Sequence, residues 1–272
     1  MTSGWNNQMT HTTWLDLPSS LSVECQDNIA VLCLSRPEKR NAIDDVMING
    51  IGHFFSELPA GIRAVIIRGM GDHFSAGLDL SSITDINVFS GLSGSREWHR
   101  AFNRIEHGDV PVVAVLHGAV LGGGLELAAA AHIRVAERGT FYALPEGSRG
   151  IFVGGGASVR VPRLIGVSRM MDMMLTGRTY GAEEGAAIGL SQYLAEPGGG
   201  LAKGLELAKR AAANAPLSNF GVLQALPRVA RADPETGSLL ESLMFSVSAA
   251  DEEAKTRLRA FLEKRAEKVS HR

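Results

Sequence analysis

The chain has few of the features that mark secreted, membrane-spanning or nucleic-acid-binding proteins. It contains two cysteines, Cys25 and Cys33, which fall in one predicted hairpin without a metal-ligand pattern, so we expect reduced thiols in a cytoplasmic protein. No apolar run reaches the roughly 18 residues expected of a membrane span. The net charge of −2 gives no electrostatic case for binding nucleic acid or an anionic membrane.

The N-terminal segment also lacks the pattern of a secretory signal. It has neither a basic stretch nor an apolar core, so we expect a polar tail over residues 1–20. The whole chain of 272 residues is 45% hydrophobic and 21% charged, which is ordinary for a globular protein. Its length is sufficient to bury a large core.

Alternating strands and helices predict an α/β fold. Two strands, over 21–25 and 29–35, lead into a helix with its apolar residues on one face, which Asp44 could cap. A buried strand, a glycine-bearing loop and a helix then recur twice, over 62–107 and 111–134. We therefore expect the two glycine-bearing loops to converge.

Glycine and proline also predict where the organisation of the chain changes. The PGGG run at 197–200 is the clearest linker, and every segment beyond it is predicted to be helical. We expect a core of strand-strand-helix units over 21–196 and a helical region over 197–272. Residues 81–95 are rich in Ser, Gly and Asn, so we expect a mobile loop there, followed by a helix over 97–107.

The stretch 111–134 carries the first indication of chemistry. Gly122, Gly123 and Gly124 open an alanine-rich helix that has Glu126 in its first turn. Glycine lets a ligand approach the main chain closely, and the first N–H groups of a helix have no intrahelical partner. The positive end of the helix dipole also favours negative charge. The turn could therefore hold a developing anion, although the glycines could equally serve only close helix packing.

Four motifs occur in a specific order and spacing. They are RPEKRNA (36–42), FSAGLDL (74–80), GAVLGGGLELA (118–128), and LPE (144–146) followed by a second glycine cluster. With them the chain resembles the crotonase (enoyl-CoA hydratase/isomerase) superfamily from about residue 21 to the C-terminus. The resemblance implies a spiral of ββα units, a C-terminal helical trimerisation region, and a homotrimer or a hexamer built as a dimer of trimers. It also implies an acyl-CoA thioester as substrate and no separate cofactor, since coenzyme A is part of the substrate.

The resemblance assigns roles to individual residues. A thioester oxyanion needs two preorganised backbone donors, which by motif position are the N–H groups of Ala76 and Gly123. Water addition needs a base and an acid, which resembling hydratases supply with two glutamates. Here Glu126 is expected to activate water and Glu146 to handle the proton at Cα. The residues expected to bind the substrate and its coenzyme A portion are Lys39, Arg40, Ala42, Ala76, Gly77, Leu78, Asp79, Gly122 and Gly123.

Other residues keep alternatives open. Asp79 could instead cap the helix that follows it. Arg149 lies in a stretch that is more apolar in the family, so it could line the acyl pocket or pair with an acid, which puts a simple straight-chain acyl substrate in doubt. His117 and His132 have no metal-ligand partner at a suitable spacing, so no metal site is predicted.

The leading hypothesis for function is reversible hydration of a 2-enoyl-CoA to a 3-hydroxyacyl-CoA. The alternative enzyme is a double-bond isomerase, in which Glu146 alone shuttles the proton. A third possibility is a non-catalytic thioester- or RNA-binding protein with the same fold. Both glutamates and the near-neutral charge argue against that third reading.

Overall fold

Two units make up the part of the chain that the computed structural model describes, residues 10–11, 16–82, 85–263 and 265. The first lies within Met1–Ala212 and the second within Ala213–Arg272. Most of the predicted N-terminal tail lies outside the described residues. The end of the last predicted helix, beyond 265, lies outside them as well.

The first unit contains two β-sheets. Its strands are β1 (Thr10–His11), β2 (Leu21–Gln26), β3 (Ile29–Leu34), β4 (Ala64–Gly69), β5 (Val112–Leu116), β6 (Ala119–Leu121), β7 (Ile133–Glu137), β8 (Phe141–Ala143), β9 (Tyr180–Gly181) and β10 (Tyr193–Ala195). The larger sheet has the order β1-β2-β3-β4-β5-β7-β10, antiparallel from β1 to β3 and parallel from β3 onwards. The smaller sheet has the order β6-β8-β9.

The described part of the first unit also contains seven α-helices. They are α1 (Asp45–Ser56), α2 (Val88–Glu106), α3 (Gly123–Ala130), α4 (Ala157–Ile165), α5 (Val167–Thr176), α6 (Ala182–Ile188) and α7 (Gly200–Ala212). Together with the strands they give repeated strand-strand-helix turns, such as β2-β3-α1 and β5-β6-α3. The predicted ββα architecture is confirmed.

The central parallel strands β3, β4 and β5 are buried on both faces, as their continuous apolar sequences indicate. One face packs on a cluster that includes α1 and α2 residues such as Phe54 and Phe102. The other face packs on α7, where a Cβ placed on Gly204 would lie 2.6 Å from a Val115 methyl group. Helix α7 follows the glycine linker at 197–200, yet it belongs with the sheet.

Helix α2 differs most from the sequence-based expectation. It begins at Val88, nine residues before the predicted start at Glu97, so the prediction of a mobile loop is wrong for residues 88–95. The reason is a capping box, in which the Asn87 side chain accepts from the Ser90 N–H and the Ser90 hydroxyl accepts from the Asn87 N–H. The cap outweighs the weak helix propensity of the Ser- and Gly-rich segment.

All the regular secondary structure described in the second unit is helical. It contains α8 (Pro216–Phe220), a π-helical turn (Gly221–Ala225), α9 (Leu226–Val229), α10 (Pro234–Ala250) and α11 (Glu252–Leu262). Among the described residues, no helix combines the length and the apolar character that crossing a membrane requires.

Candidate active site

The two glycine-bearing loops that follow β4 and β5 converge, as predicted. Leu121 N–H donates to the Ser75 carbonyl over 3.0 Å, and Ser75 N–H donates to the Ala119 carbonyl over the same distance. Gly77 has a φ of +85°, and a Cβ there would lie 2.5 Å from the Leu121 carbonyl oxygen. Glycine at 77 is therefore required both by the backbone conformation and by the close approach of the other loop.

Asn41 holds the first of these loops against the motif at 36–42. Its buried side chain donates from Nδ2 to the carbonyls of Met70 and His73, each over 2.8 Å, and accepts at Oδ1 from Arg36 N–H over 2.9 Å. The Ser75 hydroxyl donates to the Asn41 carbonyl over 2.8 Å. Sequence reasoning missed this role, and the only available signal was a polar residue beside Ala42 in the motif.

Replacing Asn41 with alanine is expected to destabilise the fold by about 3 kcal/mol, because a fully buried side chain and its hydrogen bonds to two partly buried carbonyls are lost. Asn41 also has a φ of +54°, which alanine adopts less readily than asparagine. Urea denaturation would measure the loss. Asn49→Ala on the exposed face of α1 is the control. Equal denaturation midpoints for the two variants would show that the hydrogen bonds of Asn41 do not hold the loop in place.

The backbone N–H groups of residues 76–79 do not all point toward the neighbouring segment at 40–43. Ala76 N–H donates to the Arg40 carbonyl over 2.8 Å, and Asp79 N–H donates to the Ile43 carbonyl over the same distance. Leu78 N–H, by contrast, has no acceptor among the described residues. The parallel bridge between Ile43 and Leu78 turns the Gly77 carbonyl and the Asp79 N–H toward Ile43, so the N–H of Leu78 points away from it.

Gly123 supplies a second open donor beside Leu78. As the first residue of α3, its N–H has no intrahelical acceptor, and it makes no other hydrogen bond within the described chain. A Cβ placed on Gly123 would lie 3.3 Å from the Leu78 nitrogen. The structure therefore does not support Ala76 as a free donor. It brings together Leu78 and Gly123 instead.

Glu126 is a buried carboxylate fixed by backbone donors. It is 3% exposed, and its Oε1 accepts from the N–H groups of Gly155 and Ala157 over 2.8 and 2.9 Å. Burial raises the pKa of Glu126, while these two N–H groups and the charge of Arg160 act in the opposite direction. The carboxylate thus has one oxygen held in place within the pocket wall.

Arg160 supports the loop that holds Glu126. Its buried guanidinium pairs with Glu106 over 2.7 Å and donates to the Asn103 side chain over 2.7 Å and to the Gly155 carbonyl over 3.0 Å. The same residue, Gly155, uses its N–H to bind Glu126. Sequence reasoning missed Arg160, because its side-chain partners, Glu106 and Asn103, lie 54 and 57 residues away along the chain.

Glu146 is the second buried carboxylate. It is 7% exposed, and its Oε2 has no hydrogen-bond partner within the described chain. Burial raises the pKa of Glu146 to about 7, with the charge of Glu126 adding to the effect and that of Arg149 opposing it. A Cβ on Gly122 would lie 2.5 Å from Glu146 Oε1, so glycine at 122 makes room for this carboxylate.

The ionisation of Glu146 predicts a pH-dependent stability. The folded state keeps a proton up to about pH 7, whereas the unfolded chain releases it near 4.5, so stability falls as pH rises through this interval. Glu146→Gln removes the ionisation. Relative to the wild type, the variant should gain about 3 kcal/mol between about pH 4.5 and pH 7.5.

Urea unfolding of both proteins at about pH 5 and about pH 8 would measure this gain. Glu57→Gln serves as the control, because Glu57 is exposed and its replacement removes the same charge from the surface rather than from a buried position. A constant difference between Glu146→Gln and wild type across this range would show that Glu146 is not perturbed by burial.

One cavity of about 290 Å³ brings the predicted groups together. Its lining includes Ala76, Leu78, Gly122, Gly123, Glu126, Glu146, Trp98 and Arg149. The other predicted binding residues, Lys39, Arg40, Ala42, Gly77 and Asp79, are not part of the lining.

Asp79 bonds both to the short turn that follows it and to the basic loop at 36–40. It accepts from the Ser81 hydroxyl over 2.7 Å, at the start of a short helical turn, and pairs with Arg36 and Lys39 over 3.0 and 3.1 Å. The bond from Ser81, followed by that from Lys39, holds the pKa of Asp79 well below its usual range. Asp79 therefore organises the basic loop at 36–40.

The two histidines considered above have structural partners. His132 Nδ1 accepts from Val112 N–H over 3.0 Å, which leaves Nε2–H to donate to the Glu106 carbonyl at 3.2 Å. His117 Nε2 lies 3.0 Å from the Gly71 carbonyl. Within the described ranges, no group of three or more His, Cys, Asp or Glu side chains could hold a metal ion.

Comparisons with known proteins identify the family to which the chain belongs. The Enoyl-CoA hydratase/isomerase family model matches residues 24–271. The chain is 30% identical to the short-chain-enoyl-CoA hydratase of Clostridium acetobutylicum, over 91% of this chain and 96% of that one. A crystal structure from Rhodopseudomonas palustris CGA009, provisionally named an enoyl-CoA hydratase, is 57% identical with a TM-score of 0.90, over 93% of this chain and 98% of that one.

A second solved structure, the enoyl-CoA hydratase of Bacillus anthracis, is 27% identical with a TM-score of 0.85 and covers 90% of this chain and 97% of its own. The family match spans nearly the whole chain, and the fold and the order of motifs agree with it. The chain therefore belongs to the enoyl-CoA hydratase/isomerase family of the crotonase superfamily.

Proposed function

We propose that the protein is an enoyl-CoA hydratase, which adds water reversibly to a 2-enoyl-CoA and gives a 3-hydroxyacyl-CoA. The observation that carries this proposal is one cavity lined by two buried carboxylates, Glu126 and Glu146, and by the residues of two open backbone donors, Leu78 and Gly123. The family match supports a coenzyme A thioester as the substrate.

The two backbone donors suit the oxygen of the thioester. Addition of water at Cβ moves negative charge onto this oxygen, and preorganised N–H groups stabilise that charge without reorganisation. Each such donor typically contributes about 3–4 kcal/mol to the transition state. We assign the Leu78 and Gly123 N–H groups to this role, in place of the pair with Ala76 expected from the motif.

The two carboxylates suit the acid–base steps. Glu126, anchored through Oε1, takes a proton from water as the water oxygen bonds to Cβ. Glu146, whose pKa is raised to about 7, can hold a proton at neutral pH and give it to Cα. The net reaction adds one water molecule, and a proton must return from Glu126 to Glu146 before the next turnover.

Mixing the purified protein with crotonyl-CoA tests the proposal. The conjugated enoyl thioester absorbs in the ultraviolet, and hydration should remove this absorbance as the 3-hydroxyacyl product forms. Longer, branched and aromatic 2-enoyl-CoA substrates should be included, because the acyl preference is a separate property. Inactivity toward the whole panel would refute hydration and favour isomerisation or another reaction of the superfamily.

The basic loop at 36–40 is part of the proposal as a binding site for the phosphates of coenzyme A. Arg40 is exposed and its side chain makes no hydrogen bond within the described chain, while Lys39 is held by Asp79. We assign Lys39 and Arg40 to the phosphates of coenzyme A and Ala42 to the border of this site. Weaker binding of acyl-CoA, but not of an acyl-pantetheine, in an Arg40→Met variant would support this assignment.

Trimeric or hexameric assembly through the C-terminal helices is also part of the proposal. Exposed apolar side chains on α10 and α11 support it, because such residues usually mark an interface. They are Leu239, Leu243, Phe245, Val247, Leu258 and Phe261. Sedimentation equilibrium would distinguish a trimer from a hexamer, and a monomer at all concentrations would contradict both.

A further inference from the structure

Arg149 is a cation in the cavity that the proposed reaction does not use. It ends the short helical turn Gly147–Arg149, which begins directly after Glu146. It is exposed and lines the cavity, and its side chain makes no hydrogen bond or ion pair within the described chain. Its charge nevertheless acts on Glu146, which places the guanidinium within electrostatic reach of the reacting groups.

The other side chains of the lining do not satisfy this charge. Asp45, Glu126 and Glu146 are the acids of the lining, and none of them forms an ion pair with Arg149 within 4.0 Å. Glu126 already has two backbone donors. Arg149 is the one lysine or arginine among the described residues that line the cavity.

The rest of the lining around Arg149 is largely apolar. Leu80, Ile86, Trp98, Ile151 and Phe152 contribute to it, and Phe152 is 68% exposed. An acyl chain that enters beside these residues would remove water from the guanidinium. A purely apolar chain would leave the charge without a partner, which is unfavourable, whereas a carboxylate would pair with it through two parallel hydrogen bonds.

We propose that Arg149 makes the site selective for 2-enoyl-CoA thioesters whose acyl group ends in a carboxylate. This inference rests on the proposed function and specifies its substrate class. The apolar side chains contact the carbon chain, and the guanidinium binds the terminal carboxylate at a distance from the thioester.

Matched pairs of substrates test the proposal. Each pair is a 2-enedioyl mono-CoA thioester and its terminal methyl ester, compared over several chain lengths, so that charge is separated from size. For the preferred chain length, we expect kcat/KM to be about 10-fold or more higher for the acid than for the ester. Because Arg149 is exposed, the ratio should decrease as ionic strength rises.

Arg149→Met should abolish the preference for the acid, and Arg149→Lys should retain part of it. Arg169→Met is the matched control, because it removes the same charge from an exposed position on α5 outside the cavity lining. This control should keep the wild-type ratio. A ratio near one in the wild type, or an unchanged ratio in Arg149→Met, would overturn the proposal.

Binding separates a failure of this inference from a failure of the proposed function. Saturated dicarboxylic mono-CoA thioesters and their methyl esters undergo no hydration, and calorimetry gives their Kd directly. Tighter binding of the acid that depends on Arg149 would support the inference even if no enoyl thioester were hydrated. Equal binding of acid and ester at every chain length would overturn it, whatever the catalytic result.

Discussion

Replacement of Gly123 with alanine is expected to lower kcat for enoyl-CoA hydration by about 100-fold or more, because a methyl group obstructs the oxyanion site as severely as the removal of one donor would. A Cβ at this position would lie 3.3 Å from the nitrogen of Leu78, one of the two donors assigned to the thioester oxygen. It would also lie 2.6 Å from the Trp98 ring, so the ring would have to move. Both changes act on the transition state more than on coenzyme A, so KM should change much less than kcat.

Gly94→Ala provides the matched control. Gly94 lines the same cavity from α2, but a Cβ there would have no atom within 4 Å. This variant should keep near wild-type kcat and gain about 0.5–1 kcal/mol of stability, since alanine is the better helix former. Urea denaturation would show whether Gly123→Ala remains folded. A folded Gly123→Ala variant with full kcat would remove Gly123 from the oxyanion site.

The strands and helices of the fold were predictable where their hydrophobic patterns are long. The apolar strands β3 and β5 and the one-faced helix α1 follow from such patterns, and Asp44 caps α1 as expected. The two-residue strand β9 and the three-residue strand β10 were missed. Strands of this length are too short to show a period, and the pairing of distant segments determines them.

The candidate site was predictable to the level of motifs, but not to the level of individual N–H groups. Glu126 and Glu146 line one cavity, as their motifs implied. The choice between Ala76 and Leu78 depends on the bridge from Leu78 to Ile43, which no local pattern reveals. The role of Arg160 was also hidden, because one of its partners is the backbone carbonyl of Gly155.

Glu126→Gln is expected to lower the rate of crotonyl-CoA hydration by about 1,000-fold, within the range usual for loss of a general base. The substitution preserves shape, and the amide oxygen can still accept from the N–H groups of Gly155 and Ala157. The NH₂ group would then occupy the position of Oε2, where it cannot take a proton from water. Rapid mixing with crotonyl-CoA would measure the loss.

Glu137→Gln is the matched control for charge and backbone bonding. Glu137 also accepts from two backbone N–H groups, those of Gly198 and Gly200, but it is not part of the cavity lining. It should therefore keep near wild-type hydration. A similar loss in both variants would indicate a structural effect rather than removal of a base.

The same Glu126→Gln variant separates hydration from double-bond isomerisation. A proton shuttle between Cα and Cγ needs only one carboxylate, and Glu146, with its free Oε2 and raised pKa, could provide it alone. The variant should then still convert a 3-enoyl-CoA to the conjugated 2-enoyl-CoA while failing to hydrate the product. If it hydrates crotonyl-CoA at the wild-type rate, Glu126 is not the base, and its two backbone bonds serve only to hold the loop around Gly155.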